Sequence, residues 1–334
     1  MARVLIAVLL AMVVSIMLGP RFIAFLRRKE YGQQIREEGP SHHVAKQGTP
    51  TAGGLLILLA AAVAFIPMTF YTLPALTVAF TAVACAGVGF LDDMIKLTHR
   101  RSLGLRGRWK LILLALITVG VGFAADHQHL PTTVFIPVVN YWLPLSYAWY
   151  VLLFLIIAGA VNGVNLTDGI DGLAAGTGII ALFTFAAMGV LTYIRSGPVG
   201  GRIETRLDVA IVAAALIGAA IGFLWFNAFP AEVFMGDTGA MAIGGALASL
   251  AIFMKVELLL VLIGGIFLIE ALSVILQVAS FKYWRRRVFL MAPLHHHFEM
   301  KAWSETKIMV RFWIVTALLC AAGFALYYRY YFRP

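Results

Sequence analysis

Five aspartates of the 334-residue chain stand in three short segments, each with glycine or a second acid beside it. The segments are Asp92-Asp93, Asn165-Leu-Thr-Asp-Gly-Ile-Asp-Gly172 and Phe234-Met-Gly-Asp-Thr-Gly239. Carboxylates that meet at a boundary of low dielectric constant repel one another, so a divalent cation or a set of basic groups must offset their charge. Mg²⁺ suits such a setting, because it takes one or two carboxylates and completes its shell with water and substrate phosphates.

The glycines beside these aspartates point to the same phosphate chemistry. Glycine allows a tight turn and a close approach of the backbone to a ligand. Helices that begin after Asp171 and Asp237 would offer free N–H groups to a phosphate. The alternative for each segment alone is structural, because Asp is a common N-cap and Asp-Gly is a common turn. Capping is a weaker explanation if all five carboxylates reach one face of the protein.

Two further segments carry groups suited to anions. Pro293-Leu-His-His-His-Phe-Glu299 holds three adjacent histidines, which can bind a metal, bind phosphate as cations or transfer protons. A run of solvated histidines is the alternative, and zinc is disfavoured because it needs a tetrahedral set of Cys, His or carboxylate ligands. Lys46-Gln-Gly-Thr-Pro-Thr-Ala-Gly-Gly54 is rich in turn residues and would cradle a phosphate, although its spacing is not that of a P-loop.

The composition indicates that a membrane must position these groups. Hydrophobic residues make up 61% of the chain and charged residues 13%, against about 45–50% and about 25% in an ordinary globular domain. The mean hydropathy is +0.90. A soluble core cannot bury this much apolar surface, so we expect one all-α membrane domain over residues 1–334.

Ten apolar segments are long enough to cross a bilayer, which takes about 20 residues. They are roughly 4–26, 51–70, 74–91, 110–125, 146–163, 172–194, 208–227, 238–255, 257–280 and 309–328. Ten spans put both termini on one side and five loops on the other, namely 27–50, 92–109, 164–171, 228–237 and 281–308. The only two cysteines, Cys85 and Cys320, lie in apolar stretches and imply no disulfide framework.

Most of the 26 lysines and arginines fall in the first, second and fifth of these loops. The positive-inside rule makes that side cytoplasmic and places the termini outside. All five aspartates then reach the cytoplasmic face. The net charge of +10 is explained by topology and by anionic lipid headgroups, so we expect membrane lipids as partners and no nucleic acid.

Five motifs in the chain resemble those of the phospho-N-acetylmuramoyl-pentapeptide transferases, a branch of the polyprenyl-phosphate sugar-1-phosphate transferase superfamily. The motifs are Lys46-Gln-Gly-Thr-Pro-Thr51, Asp92-Asp93, Asn162-Gly-Val-Asn-Leu-Thr-Asp-Gly-Ile-Asp-Gly172, Phe234-Met-Gly-Asp-Thr-Gly239 and Ala292-Pro-Leu-His-His-His-Phe-Glu299. They occur in the order typical of the family, and the histidine motif points to the muramoyl-pentapeptide branch.

The resemblance implies an enzyme of the bacterial inner membrane with its active site facing the cytoplasm. It would transfer phospho-MurNAc-pentapeptide from UDP-MurNAc-pentapeptide to undecaprenyl phosphate, forming lipid I and UMP with Mg²⁺ as cofactor. Catalysis of phosphoryl transfer is mainly positioning and charge neutralisation, which clustered acids, a metal and basic groups supply. The sequence leaves open whether the lipid phosphate attacks directly or an aspartate does so first, and whether the chain forms a homodimer.

The resemblance also implies a role for each matching residue. The catalytic set is Asp92, Asp93, Asp237 and His296, and the metal ligands are Asp237 and Asp168. The substrate-binding set is Lys46, Thr51, Lys96, Lys110, Asn162, Asn165, Asp168, Asp171, Asn227, Phe234, Gln277, His295 and His297. Asp92 would deprotonate or orient the lipid phosphate, Phe234 would stack on uracil, and the lysines would hold the diphosphate.

Three other functions are alternatives to this one. A transferase that uses UDP-GlcNAc or a related UDP-amino sugar is the nearest, and the histidine motif disfavours it. A secondary transporter would place charged, broken-helix sites near the midplane, and a membrane scaffold has no use for five carboxylates on one face. Glu270 is a separate case: it lies inside the ninth predicted span, where an acid suggests function, although the glycines nearby suggest helix packing.

Overall fold

The computed structural model describes residues 1–29, 48–99, 103–198 and 200–331. These residues form helices α1 (Ala2–Arg28), α2 (Gly54–Met68), α3 (Leu73–Thr98), α4 (Gly107–His127), α5 (Ala148–Thr167), α6 (Leu173–Arg195), α7 (Glu204–Asn227), α8 (Gly236–Phe253), α9 (Leu260–Ile263), α10 (Gly265–Trp284), α11 (Leu294–Glu299) and α12 (Glu305–Tyr331). A two-stranded antiparallel hairpin, β1 (Thr133–Ile136) and β2 (Tyr141–Pro144), lies between α4 and α5. Helices account for 76% of the described residues.

The described part of the chain contains nine helices long and apolar enough to cross a membrane, so the protein is a multi-pass membrane protein. The sequence predicts ten spans, and the difference lies in the segment 51–70. There α2 has only 15 residues, about 22 Å of helix against a hydrocarbon core of about 30 Å. It starts late because residues 53 and 54 hydrogen-bond to the chain before α8.

Two of the predicted spans differ from the helices that the structure shows. Helix α3 does not stop at residue 91 but continues to Thr98, so Asp92 and Asp93 are helical. The ninth span, 257–280, is not one helix: a 3-10 turn (Glu257–Leu259) and the short α9 precede α10. The connection between α4 and α5 also contains the β1–β2 hairpin, in which the adjacent residues Val134 and Phe135 of β1 are buried.

Helices α7 and α8 form the centre of the bundle. Helix α7 packs against α1, α2 and α6, and α8 packs against α3 and α5. Small residues permit this, because alanine and glycine let helix backbones approach closely. At Gly218 of α7, a Cβ atom would lie only 2.0 Å from the carbonyl oxygen of Val8 in α1. The rigid centre therefore fixes the helix ends on which polar groups stand.

The bundle has two ends, which we call proximal, where α3 ends and α8 begins, and distal, where α3 begins and α8 ends. At the distal end Asp208 of α7 accepts four hydrogen bonds of 2.8–2.9 Å from residues 69–72. The ammonium of Lys255 lies 2.7 Å from Glu257 Oε1 and donates to the carbonyl oxygen of Thr133 at 2.6 Å. These contacts stabilise loops at the distal end, whereas the aspartates of the sequence motifs lie at the proximal end.

Candidate active site

Four charged side chains from three helices meet at the proximal end. Lys96 Nζ lies 2.7 Å from Asp92 Oδ2 and 2.9 Å from Asp237 Oδ1. Lys110 Nζ lies 3.1 Å from Asp92 Oδ1 and 2.9 Å from Asp237 Oδ2. The two ammoniums thus bridge the two carboxylates. Asp92 and Lys96 are one helical turn apart on α3, which places them on the same face.

This four-residue cluster is open on one side only. The side chain of Asp92 is 1% exposed, whereas those of Lys96 and Lys110 are 30% and 17% exposed. Asp92 is covered by the segment before α4, since Leu105 N–H donates to its Oδ1 at 2.6 Å and a Cβ at Gly104 would lie 2.4 Å from its carboxylate. Each ammonium has three N–H donors and faces two carboxylate oxygens here, so each retains a donor for an anion.

Close packing brings Asp237 to this place. A Cβ at Gly89 of α3 would lie 2.3 Å from the carbonyl oxygen of Asp237, and one at Gly54 of α2 would lie 2.1 Å from the nitrogen of Gly239. Phe234 N–H donates to the carbonyl oxygen of Pro50 at 2.8 Å, and Gly53 N–H donates to that of Phe234 at 2.9 Å. The start of α8 is therefore held between α2 and α3.

Asp93 caps α8 from the neighbouring helix α3. Its Oδ1 accepts the N–H of Asp237 at 3.1 Å, and its Oδ2 accepts the N–H and the hydroxyl of Thr238 at 3.0 and 2.6 Å. A carboxylate at the N-terminus of a helix satisfies free N–H groups and interacts favourably with the helix dipole. Asp93 is 3% exposed, so its geometry is that of a group that positions Asp237.

Asp168 and Asp171 lie in the turn between α5 and α6. Burial, together with the nearby carboxylates of Asp237, Asp93 and Asp171, raises the pKa of Asp168 to about 8, while a hydrogen bond from Gly236 N–H opposes the shift. Asp171 Oδ2 accepts the N–H of Ala231 at 3.0 Å. The turn thus directs one carboxylate at the start of α8 and one at the segment before it.

These carboxylates fit a magnesium ion better than a zinc ion. Within the described ranges, no group of three or more His, Cys, Asp or Glu residues converges in a metal-binding arrangement, and zinc sites ordinarily need three or four such ligands. Mg²⁺ needs only one or two carboxylates when phosphates and waters complete the shell. Burial is the main cause of the raised pKa of Asp168 and the neighbouring carboxylates add to it, so a bound cation would favour the ionised form of this group.

The three histidines occupy three different environments in α11, so the run is not uniformly solvated. His295 is 0% exposed. His296 is partly buried, and its Nδ1 is paired with Glu299. His297 Nδ1 accepts the N–H of Leu290 at 3.1 Å, and burial together with Lys301 lowers its pKa. In this conformation His295 supports the turn beneath it, while His296 and His297 lie nearer the surface.

Some of the other residues predicted for the site lie at the proximal end near Asp237, and others make structural contacts. Thr51 lies beside Gly236, where a Cβ would be 2.9 Å from its hydroxyl, and Phe234 is partly buried next to it. Asn165 is partly buried in the last turn of α5 before Asp168. Lys46 lies outside the described residues.

Three predicted amides make structural hydrogen bonds. Asn162 donates to the carbonyl oxygen of Ala158 in its own helix at 2.8 Å. Asn227 accepts Gly172 N–H at 3.1 Å and donates to the carbonyl oxygen of Val233 at 2.9 Å, which ties the Asp168–Asp171 turn to the segment before α8. Gln277 Oε1 accepts the N–H groups of residues 288 and 289, both at 3.0 Å.

Three contributors are not among the predicted site residues. Thr238 and Leu105 donate to the site aspartates, and Glu270 contacts His295. Thr238 adjoins Asp237 in a glycine-flanked segment, which is the only sequence signal for it. Leu105 acts through its backbone and carries no signal, whereas Glu270 is marked by being an acid in an apolar span.

Residues 75–255 match the model of glycosyl transferase family 4. Together with the multi-pass fold, this match places the chain in the class of membrane transferases. A relative from Rubrobacter xylanophilus is 46% identical over 341 residues, 98% of each chain. Relatives from Frankia alni and Geobacillus thermodenitrificans are also 46% identical and cover 98% and 96% of each chain. The chain belongs to the family these three represent, the phospho-N-acetylmuramoyl-pentapeptide transferases.

Proposed function

We propose that the chain transfers phospho-MurNAc-pentapeptide from UDP-MurNAc-pentapeptide to undecaprenyl phosphate, which yields lipid I and UMP. The names of its relatives supply the transferred group. The observation that carries the proposal is the bridging of Asp92 and Asp237 by Lys96 and Lys110 at one end of a membrane helix bundle. A soluble anionic donor and a lipid phosphate can meet only at such an end.

The lysines are the groups that would bind the diphosphate of the donor. Both are more exposed than the carboxylates they bridge, so they lie on the open side of the cluster. An ammonium held next to a carboxylate stays charged and already oriented, which lowers the cost of organising it around the transition state. An anion that attracts both ammoniums would also free the oxygens of Asp237.

Mg²⁺ is part of the proposal, with Asp237 and Asp168 as the residues that would hold it. When bound, the ion would neutralise charge that develops on the transferred phosphoryl group and on UMP. Asp93 would keep Asp237 in place from behind, because both of its oxygens are directed at the first N–H groups of α8. The dipole of that helix adds positive potential at the same point.

Asp92 supports direct attack by the lipid phosphate over attack by an aspartate. A nucleophilic carboxylate needs an open path to phosphorus, but Asp92 is 1% exposed and accepts the N–H of Leu105 at 2.6 Å. Its place between two ammoniums suits a group that orients them and accepts a proton as the lipid phosphate attacks. The positive-inside rule supports placing this end on the cytoplasmic side of the membrane, and the names of the relatives support a bacterial inner membrane.

The decisive experiment uses the purified full-length chain in detergent with UDP-MurNAc-pentapeptide, undecaprenyl phosphate and Mg²⁺. We expect release of UMP and a lipid product whose mass includes the phospho-MurNAc-pentapeptide group. Product from UDP-GlcNAc instead would establish the alternative transferase. No UMP release from any UDP-sugar would overturn the enzymatic proposal, since no transport can occur in detergent.

Asp237→Asn tests the central residue in the same assay. The loss of one charge at the metal should lower the rate by about 10²- to 10³-fold, the range found for single groups that stabilise transition-state charge. Asp208→Asn is the matched control, because Asp208 is also buried and accepts four hydrogen bonds but lies at the distal end. It should lower thermal stability and leave turnover near that of the unmodified protein.

A further inference from the structure

Glu270 and His295 form a contact between two fully buried ionisable side chains. Glu270 lies on α10 and His295 on α11, and both are 0% exposed. Glu270 Oε1 accepts the backbone N–H of His295 at 3.2 Å and lies 3.3 Å from its ring nitrogen Nδ1. An imidazole with its proton on Nδ1 would therefore face a carboxylate. This pair is separate from the Asp92–Asp237 cluster.

The pair is costly to bury, which suggests that it has a role beyond packing. Its surroundings are apolar: Ile170, Leu173, Ile266, Ile308 and Phe312 form a buried cluster there. Within the described part of the chain, Glu270 Oε2 and both ring nitrogens of His295 have no hydrogen-bond partner that meets normal geometry. Burying such groups destabilises a fold, and replacing them with apolar residues is often neutral or stabilising. Helix packing alone does not require them.

The imidazole reaches from Glu270 to the turn that carries Asp168. A Cβ at Gly169 would lie 2.3 Å from His295 Nε2, so the ring presses directly on the backbone of residue 169. Gly169 follows Asp168, which accepts a hydrogen bond from the N–H of Gly236, the residue before Asp237. The ring thus connects a carboxylate in the membrane-spanning α10 with a proposed metal ligand.

The same face of α10 organises the rest of this segment. Gln277 is two helical turns after Glu270, a spacing that puts both side chains on one face. Its amide accepts the N–H groups of Val288 and Phe289 and donates to the carbonyl oxygen of Phe289 at 3.1 Å. Helix α10 therefore contacts the 288–295 segment at two points, and at the Glu270 point His295 also contacts Gly169 of the Asp168 turn.

We propose that Glu270 is a positioning residue for the transfer reaction: it fixes the imidazole of His295, which supports the Asp168–Gly169 turn against the start of α8. This inference rests on the proposed function. It assigns a role to the acid within α10, and it makes His295 a support of the site and not a substrate contact. Groups that orient a metal ligand from behind typically change metal affinity or activity by about 10- to 100-fold when removed.

The test compares Glu270→Gln with Glu257→Gln in the full-length protein. The glutamine at 270 keeps the shape and can still accept the N–H of His295, but it lacks the negative charge that faces Nδ1. We expect kcat to fall by about 10- to 100-fold and the Mg²⁺ concentration for half-maximal rate to rise. The KM for undecaprenyl phosphate should stay within about twofold, because the affected turn carries the proposed metal ligand.

Glu257 is a matched control because it is 3% exposed and paired with Lys255, but at the distal end. Its replacement by glutamine should lower the melting temperature without a change in the Mg²⁺ dependence. A general loss of stability would affect both variants, so only a shift specific to Glu270→Gln supports a positioning role. Equal Mg²⁺ dependence in the two variants would overturn it.

A double-mutant cycle adds a second readout. If Glu270 acts through His295, the double variant Glu270→Ala/His295→Ala should be no more impaired than His295→Ala alone, because coupled residues are non-additive. Independent, multiplied defects would overturn the inference. Both outcomes presuppose an active unmodified protein. A protein that releases no UMP contradicts the proposed function, whereas an active protein with an unaffected Glu270→Gln variant contradicts only this inference.

Discussion

Replacing Asp93 by asparagine distinguishes a capping carboxylate from a catalytic one. Asparagine is about as good a helix cap as aspartate. One oxygen can still accept the N–H and hydroxyl of Thr238, now at 3.0 and 2.6 Å from Oδ2. The amide –NH₂ then faces the N–H of Asp237, which is 3.1 Å from Oδ1, so one hydrogen bond is lost.

The expected effect follows from that single lost contact. An unsatisfied buried donor costs about 1–3 kcal/mol, which corresponds to a factor of about 5–150 because each 1.4 kcal/mol is about tenfold. If this cost falls on the positioning of Asp237, Asp93→Asn should reduce turnover by about 5- to 150-fold, with a modest decrease in melting temperature. Asp93→Ala removes all three bonds and should lower turnover by at least about 100-fold, because a shift of about 1 Å in a reacting group can have that effect.

UMP release and thermal unfolding, measured on the same detergent-purified samples, check this prediction. Thr238→Val is the control: it removes only the hydroxyl bond to Asp93, and we expect about a twofold to tenfold loss of turnover, equivalent to roughly 0.5–1.5 kcal/mol for one hydrogen bond. A stable Asp93→Asn protein with turnover reduced by more than about 10³-fold would refute the reasoning. That result would place the charge of Asp93 in the chemical step.

Two further predictions concern the Asp168 turn. With a pKa of about 8 in the metal-free protein, Asp168 is mostly protonated at pH 7, so Mg²⁺ must displace a proton. The apparent Mg²⁺ affinity should therefore rise with pH up to about 8 and level off above it, and Asp168→Asn should flatten that slope in a titration of activity against Mg²⁺; an unchanged slope would contradict the assignment. Gly169→Ala places a methyl group 2.3 Å from His295 Nε2 and should reduce turnover. Combining it with His295→Ala should make the activity equal to that of His295→Ala alone, and a further loss in the combined variant would show that the alanine disturbs the turn by another route.

The membrane-spanning segments were largely predictable, because a helix that crosses the bilayer needs a long apolar stretch, which is visible in the hydropathy of the sequence. Nine of the ten predicted spans correspond to helices of sufficient length. The prediction that α3 ends at residue 91 was wrong because hydropathy falls at Asp92-Asp93. Local hydropathy cannot register that Lys96, Lys110 and the start of α8 neutralise these acids and allow the helix to continue.

The sequence predicted that the aspartates lie on one side of the membrane, because alternate loops between spans share a side. It did not predict the different contacts that each aspartate makes. Asp92 and Asp93 are neighbours in sequence, yet one faces two ammoniums and the other caps a helix. Adjacent helical residues point about 100° apart, so their surroundings depend on which helices pack on each side. The same holds for the three histidines, whose separate partners come from different parts of the fold.

The central position of α8 has a consequence for how the bilayer acts on this protein. In the apolar windows of α7 and α8, 83% of the residues are buried, whereas the corresponding share is 28% in α1, α4 and α12. A bilayer that is thicker or thinner than the hydrophobic belt acts first on the outer helices, which tilt to adapt. Because Asp237 stands on an inner helix, hydrophobic mismatch reaches it only after the surrounding helices have yielded. Asp237 is thus shielded from mismatch, whereas Lys110, on the outer helix α4, is not.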